Sequence, residues 1–213
     1  MRGKMFATSL AAIVATSLAT SPATALAQPA AAPDLATARQ WFEAGKDQQI
    51  VAIELKDDSP PALVYLVAQG HARLQQRAQA RAAYDRLAAR PQTDPWHFIG
   101  RSAVLLGDAQ LIPGVTAAEQ GVQLGPKVAE THFQLGLAYG DNQDWAKAAP
   151  AFEAAIAVDP MLAYAHYYAG HSYYEAGRID LMAKFFEYFL RLAPGAPERT
   201  NVESIMRTVR GRR

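Results

Sequence analysis

The chain is predicted to be all-α, a stack of helix-turn-helix pairs closed by a C-terminal capping helix. Three observations carry this. His132 and His166, Gly136 and Gly170, Tyr139 and Tyr173, Phe152 and Phe186, and Pro160 and Pro194 are each 34 residues apart, and self-similarity at a fixed period of that size marks stacked supersecondary units. Apolar residues recur at three- and four-residue spacing, the period of a helix with one buried face. No run of alternating β-branched residues supplies a strand signal.

Taken in order, residues 1–27 have the layout of a secretory signal peptide. Arg2 and Lys4 precede an apolar run from Met5 to Leu18, and Ala25-Leu26-Ala27 offers a small-residue cleavage site before Gln28. The run is short for a membrane span. It contains no twin arginine, and no lipoprotein cysteine follows it, so general export to a bacterial periplasm is expected. Removal of this segment takes away two basic and no acidic residues. The balance becomes 21 − 2 = 19 basic against 20 acidic side chains. A nearly neutral protein has no long-range field to gather nucleic acid or an anionic membrane. The chain has no cysteine, which excludes thiol redox chemistry, cysteine hydrolysis and zinc-thiolate sites.

Residues 28–33 are expected to form a flexible leader. Asp34 is placed to cap a first helix through Ala44. Gly45-Lys46-Asp47 breaks it before a second helix over 48–56, and Ser59-Pro60-Pro61 stops and restarts the chain. Val64, Val67, Ala68 and His71 form one stripe; Ala80, Tyr84 and Leu87 form the facing one. Asp94-Pro95 supplies a cap and a first-turn proline. Unit 95–128 is the least regular, with its second helix expected to begin at Pro113 and Gly125-Pro126 closing it. Units 129–162 and 163–196 follow. A last helix over 197–209 presents Val202, Ile205, Met206 and Val209 on one face, as a solenoid cap requires, and ends in a basic tail to residue 213.

Unit 129–162 places Leu135, Gly136, Tyr139, Ala148, Phe152, Ala155 and Pro160 in an order that resembles the tetratricopeptide repeat, with His132 where that pattern opens on tryptophan. Unit 163–196 keeps Gly170, Tyr173, Phe186 and Pro194 but has Met182 and Phe189 where small residues are usual. Unit 61–94 keeps Ala80, Tyr84 and Leu87. Residues 34–60 look like a shortened first unit, so the solenoid is expected over 34–196.

The resemblance implies that the first helix of each pair lines a concave surface. Carried over unit by unit, it selects Tyr65, Ile99, Phe133 and Tyr167 as one row. Trp96 and Tyr164 fall in a second row with Ala62 and Glu130. Gln69, Leu137 and His171 fall in a third with Ala103. Tyr174, Arg73 and Glu175 stand at the margin. These rows lack the Lys and Asn with which some members grip a terminal carboxylate. They imply an aromatic groove for protein or peptide segments.

Other constellations carry less. His166 and His171 are five apart and fall on different helix faces, with no H-E-x-x-H to complete a metal site. Gly170-His171-Ser172 mimics a nucleophile elbow, but Tyr174 stands where glycine is needed and the context is mid-helix. Asp57-Asp58 ends a helix and is accounted for by solvated capping. Arg207, Arg210, Arg212 and Arg213 lack the apolar anchor that membrane attachment needs. No catalytic residue, cofactor or metal is expected. The sequence supports a periplasmic adaptor in envelope complex assembly. A self-associating envelope subunit, with its apolar surface near 164–189, or a non-catalytic enzyme subunit is the alternative.

Overall fold

The computed structural model describes residues 33–211. The expected signal peptide, nearly all of the leader and the last two arginines lie outside the described residues. Within them the chain forms α-helices and no strand.

Four full helix pairs make up the body: α3 (Pro61–Arg73) with α4 (Arg77–Ala88), α5 (Pro95–Gly107) with α6 (Leu111–Leu124), α7 (Ala129–Asp141) with α8 (Trp145–Val158), and α9 (Ala163–Glu175) with α10 (Ile179–Leu192). First helices begin at 61, 95, 129 and 163, and second helices at 77, 111, 145 and 179. The 34-residue period therefore governs the irregular unit as strictly as the regular ones. Each turn within a pair carries one left-handed residue at the same register: Gln75, Ala109, Gln143 and Gly177, with φ of 59°, 58°, 58° and 72°. Only the last is glycine, the residue that adopts this conformation without steric cost. Two short helices, α1 (Leu35–Glu43) and α2 (Asp47–Val51), precede the body, and α11 (Arg199–Arg210) closes it.

Local chemistry explains the boundaries. Asp34 accepts from the Thr37 amide at 2.8 Å and caps α1. Asp94 accepts from the Trp96 amide at 3.0 Å ahead of Pro95, and Asp144 caps α8 through the Lys147 amide. Three boundaries differ from expectation. The second helix is α2 and stops at Val51, because Ser59 turns back to accept from the Lys56 amide and Leu55 and Lys56 carbonyls bind Arg86 instead of extending the helix. Helix α6 starts at Leu111, two residues before Pro113; a proline in the first turn loses no helical hydrogen bond. The last helix starts at Arg199, two residues after Pro197.

The close approach within pairs depends on small residues. The position equivalent to Gly136 and Gly170 is Ala68 in the first full pair and Ser102 in the second, and both are fully buried. A Cβ on Gly136 would lie 2.6 Å from the Phe152 ring, and one on Gly170 would lie 2.5 Å from the Phe186 ring. Each aromatic sits in a notch that only glycine leaves open. Bulky Met182 and Phe189 are fully buried and share a cluster with Val202 and Met206 of α11. The capping helix thus covers the apolar face that the last pair would otherwise expose, while Arg199 and Glu203 pair at 2.9 Å on its outer side.

Candidate functional site

The concave face is more tightly closed than the aromatic rows imply. Tyr65, Ile99, Phe133 and Tyr164 are all buried. All four pack as core between helices in place of an open aromatic groove, and of them only Phe133 and Tyr164 still line an inner cavity. The reason is curvature. Tyr65 on α3 donates to Gln134 Oε1 on α7 at 2.8 Å, and Gln134 Nε2 donates to Ser102 Oγ on α5 at 3.1 Å. First helices two pairs apart are therefore in contact, and the inner surface is consumed. Gln69, Trp96, Leu137, Tyr167 and His171 remain half-buried, and Tyr174 is exposed. Trp96 packs edge-on to Tyr65, and His171 packs against Trp145.

What remains open is a mouth of about 670 Å³ at the ends of α3, α5 and α7. Ala72, Ala103, Val104, Leu106 and Leu137 give it an apolar lining, and Arg77, Arg81, Asp108 and Asp141 add charges of both signs. Arg81 is ion-paired with Asp108. A second cavity of about 280 Å³ shares Ala72, Tyr84 and Leu137 with the mouth and reaches inward to Phe42, Arg73 and Tyr164.

The inner end is stopped by α1, which lies on the concave side. Its Phe42 ring packs edge-on to Tyr164 at 5.2 Å. The Arg73 guanidinium lies 3.6 Å from the Phe42 ring centre and 4.0 Å from that of Tyr164, a cation–π arrangement with both rings. Arg73 also donates to the Phe42 carbonyl at 2.9 Å. Arg39, one turn earlier, donates to Glu130 at 2.9 Å and to Asp159 at 2.8 Å. Sequence reasoning placed Arg73 and Glu130 near the groove but missed Arg39, Phe42 and Gln134. Arg39 reaches Glu130 and Asp159 at 91 and 120 residues' separation, Gln134 reaches Tyr65 at 69, and Phe42 meets Tyr164; over such separations one sequence carries no signal.

Glu43 makes this contact sensitive to pH. Burial pushes its carboxyl up to about 7, against the pull of Arg39 and of the Ala163 amide, while Asp159 adds to the rise. The folded value lies above the ordinary 4.5, so the docked state holds an extra proton between those limits. The docking of α1 is then favoured at low pH and weakens as pH rises through about 7. Amide hydrogen exchange, corrected for intrinsic rates, is expected to show α1 less protected at pH 8 than at pH 5 relative to α7. Glu43→Gln is expected to remove most of that difference.

The histidines have packing roles. His132 and His166, at equivalent positions, each donate from Nε2 to the carbonyl of Pro126 and Pro160 at 2.9 and 3.0 Å, tying a first helix to the loop before it. Burial lowers the His166 pKa, and its ring stacks on Tyr188 at 5.2 Å. Among the described residues, no three His, Asp or Glu side chains converge on a point that could hold a metal ion.

Residues 133–197 match the tetratricopeptide repeat family model. The structure of TTC0263, a thermophilic tetratricopeptide repeat protein of Thermus thermophilus, aligns with a TM-score of 0.59 and 18% identity, over 82% of this chain and 95% of that one. YrrB, described as a tetratricopeptide repeat protein with an unusual peptide-binding site, aligns with a TM-score of 0.50 and 16% identity, over 80% and 84% of the two chains. At such identities the likeness is one of fold. Comparison with curated protein sequences returned no match. The repeat pattern, the paired helices and the matched segment agree: residues 133–197 match the tetratricopeptide repeat, and the chain shares the stacked helix-pair fold of such proteins.

Proposed function

We propose that the protein is an exported adaptor that holds a protein segment in the open mouth of its concave face and works in assembling or positioning an envelope complex in the bacterial periplasm. The observation that carries the binding reading is the mouth itself. It has an apolar lining with charges of both signs, a combination suited to a peptide with a greasy side chain and a polar backbone. The export reading rests on the order of basic start, apolar run and small-residue cleavage site in residues 1–27, together with the absence of cysteine. No helix among the described residues is long and apolar enough to cross a membrane.

The self-association alternative rests on the apolar surface near 164–189, which begins in α9. Its start is covered within the chain: Phe42 packs on Tyr164, and the Tyr164 hydroxyl donates to Glu198 just ahead of α11 at 2.7 Å, while Tyr174 and Tyr188 stay exposed.

Filling the mouth without touching the core tests the proposal. Ala72 is exposed and Ala103 half-buried, both in its lining. Ala72→Trp with Ala103→Arg is expected to abolish capture of crosslinked envelope partners while leaving the thermal melt unchanged within a few degrees. Undiminished capture by the folded variant would sink the assignment of the mouth.

A further inference from the structure

Helix α1 departs from the register of the rest. It begins 26 residues before α3, whereas every later first helix begins 34 residues before the next. It has nine residues, and only Ala38 and Phe42 are buried. A helix this short is marginal by itself, so it exists because of what it touches. Its polar anchors are half-exposed: the Arg39 side chain retains 34% of its accessible surface. It connects to α2 through Gly45, whose φ of 68° repeats the left-handed turn found within each full pair. Across the groove, Arg39 meets the carboxylates of Glu130 and Asp159, and the Phe42 ring meets Arg73 and Tyr164.

We propose that α1 is a displaceable occupant of the inner groove, and that the partner which displaces it is a protein helix presenting an arginine and, three residues later, an aromatic side chain. Arg39 and Phe42 mark those two positions. One turn of helix sets them on the same face. The paired carboxylates Glu130 and Asp159 select a guanidinium, which can meet two acceptors at once, over an ammonium. The Arg73–Tyr164 clamp selects an aromatic ring over an aliphatic side chain. Displacement would join the inner cavity to the open mouth, since the two already share Ala72, Tyr84 and Leu137. This deepens the adaptor reading and rests on it for the existence of a partner, but its test needs none.

The chain supplies its own lock. It contains no cysteine, and a Cβ built on Gly195 lies 3.7 Å from the Ala44 Cβ, inside the range a disulfide spans. Ala44→Cys with Gly195→Cys is expected to cross-link on oxidation and pin the end of α1. The probe is a labelled peptide of residues 33–46, followed by fluorescence polarisation. Binding is expected to the reduced protein and to be about tenfold or more weaker to the oxidised one, because the lock removes the binding-competent state. In the otherwise native chain, Arg39→Ala with Phe42→Ala is expected to tighten binding, with circular dichroism confirming that the repeats remain folded. A peptide carrying the same two changes is expected not to bind.

Equal binding in the two redox states would overturn the proposal, as would binding of the altered peptide or failure of the cysteines to join. Absence of binding to both the reduced protein and the folded double variant would make α1 a permanent part of the core. Dimerisation of the reduced protein on light scattering would assign the groove to a second copy instead. None of these outcomes bears on capture at the mouth, which stands or falls separately.

Discussion

Gly100→Ala is expected to destabilise the protein by about 2 kcal/mol, whereas Gly107→Ala, seven residues further along the same helix, is expected to stabilise it by about 0.5 kcal/mol. Both changes gain the same intrinsic helix preference, at most about 1 kcal/mol. They differ in what the new methyl meets. At Gly100 a Cβ would lie 2.5 Å from the Ala88 amide nitrogen and 2.5 Å from the Tyr84 carbonyl oxygen, with the Leu87 Cβ at 2.6 Å. Two of these are backbone atoms of α4, and no rotamer change moves them. The helices must separate, and overpacking costs of about 1–3 kcal/mol or more then exceed the propensity gain. At Gly107 nothing lies within 4 Å. Because each pair in a solenoid contacts mainly its neighbours, the damage at Gly100 should be local. Hydrogen exchange should rise at the α4–α5 junction before it rises in α9 and α10. Thermal melts of the two variants check the signs; a Gly100→Ala protein as stable as Gly107→Ala would mean that α4 and α5 do not approach as described.

Gly100 also shows where the sequence is legible and where it is not. The notch glycines, Gly136 and Gly170, stand in the repeat pattern beside Phe152 and Phe186, so their packing role follows from spacing alone. Gly100 has no place in that pattern; its equivalents are Gln134 and Tyr168. Its need for a bare backbone arises from how one pair leans on the previous one, which periodicity does not encode. The same limit explains the groove. The repeat resemblance, carried over at 34-residue spacing, selects which residues of each first helix face inward, and Tyr65, Ile99 and Phe133 do lie between helices. Spacing does not set the curvature that brings Tyr65 to Gln134, and curvature decides between lining and core. Helix α1 was legible as a helix, through Asp34 and the break at Gly45. Its position across the concave face was not, because Arg39 and Glu130 are 91 residues apart and belong to no shared repeat. Tertiary contacts between units are set by accumulated small rotations, each invisible in a single unit.

Phe186→Ala is expected to cost about 4 kcal/mol, the larger of the two effects, and to lower the melting temperature by about 8–16 °C. The ring is fully buried, sits in the Gly170 notch and packs 6.2 Å from Tyr167. Its loss leaves a cavity that two helices close only by sliding together, and the spread of measured costs at such sites follows how far they can collapse. The equivalent Phe152 is braced on two sides, by Phe133 at 5.6 Å and by the stacked Tyr168 at 5.5 Å. Its removal should cost a similar amount but be transmitted into α9. Pairing the ring with its notch isolates the contact. Gly170→Ala alone puts a methyl 2.5 Å from Phe186 Cδ1 and should destabilise. In the Phe186→Ala background the obstruction is gone, and the same methyl fills space and gains helix preference. The double variant is therefore expected to be more stable than the sum of the single changes by at least about 1 kcal/mol. Denaturant melts of the four proteins measure that coupling. Additive effects would show that ring and notch are independent, and steric complementarity would then fail as the physical basis of the repeat's glycine–phenylalanine pair.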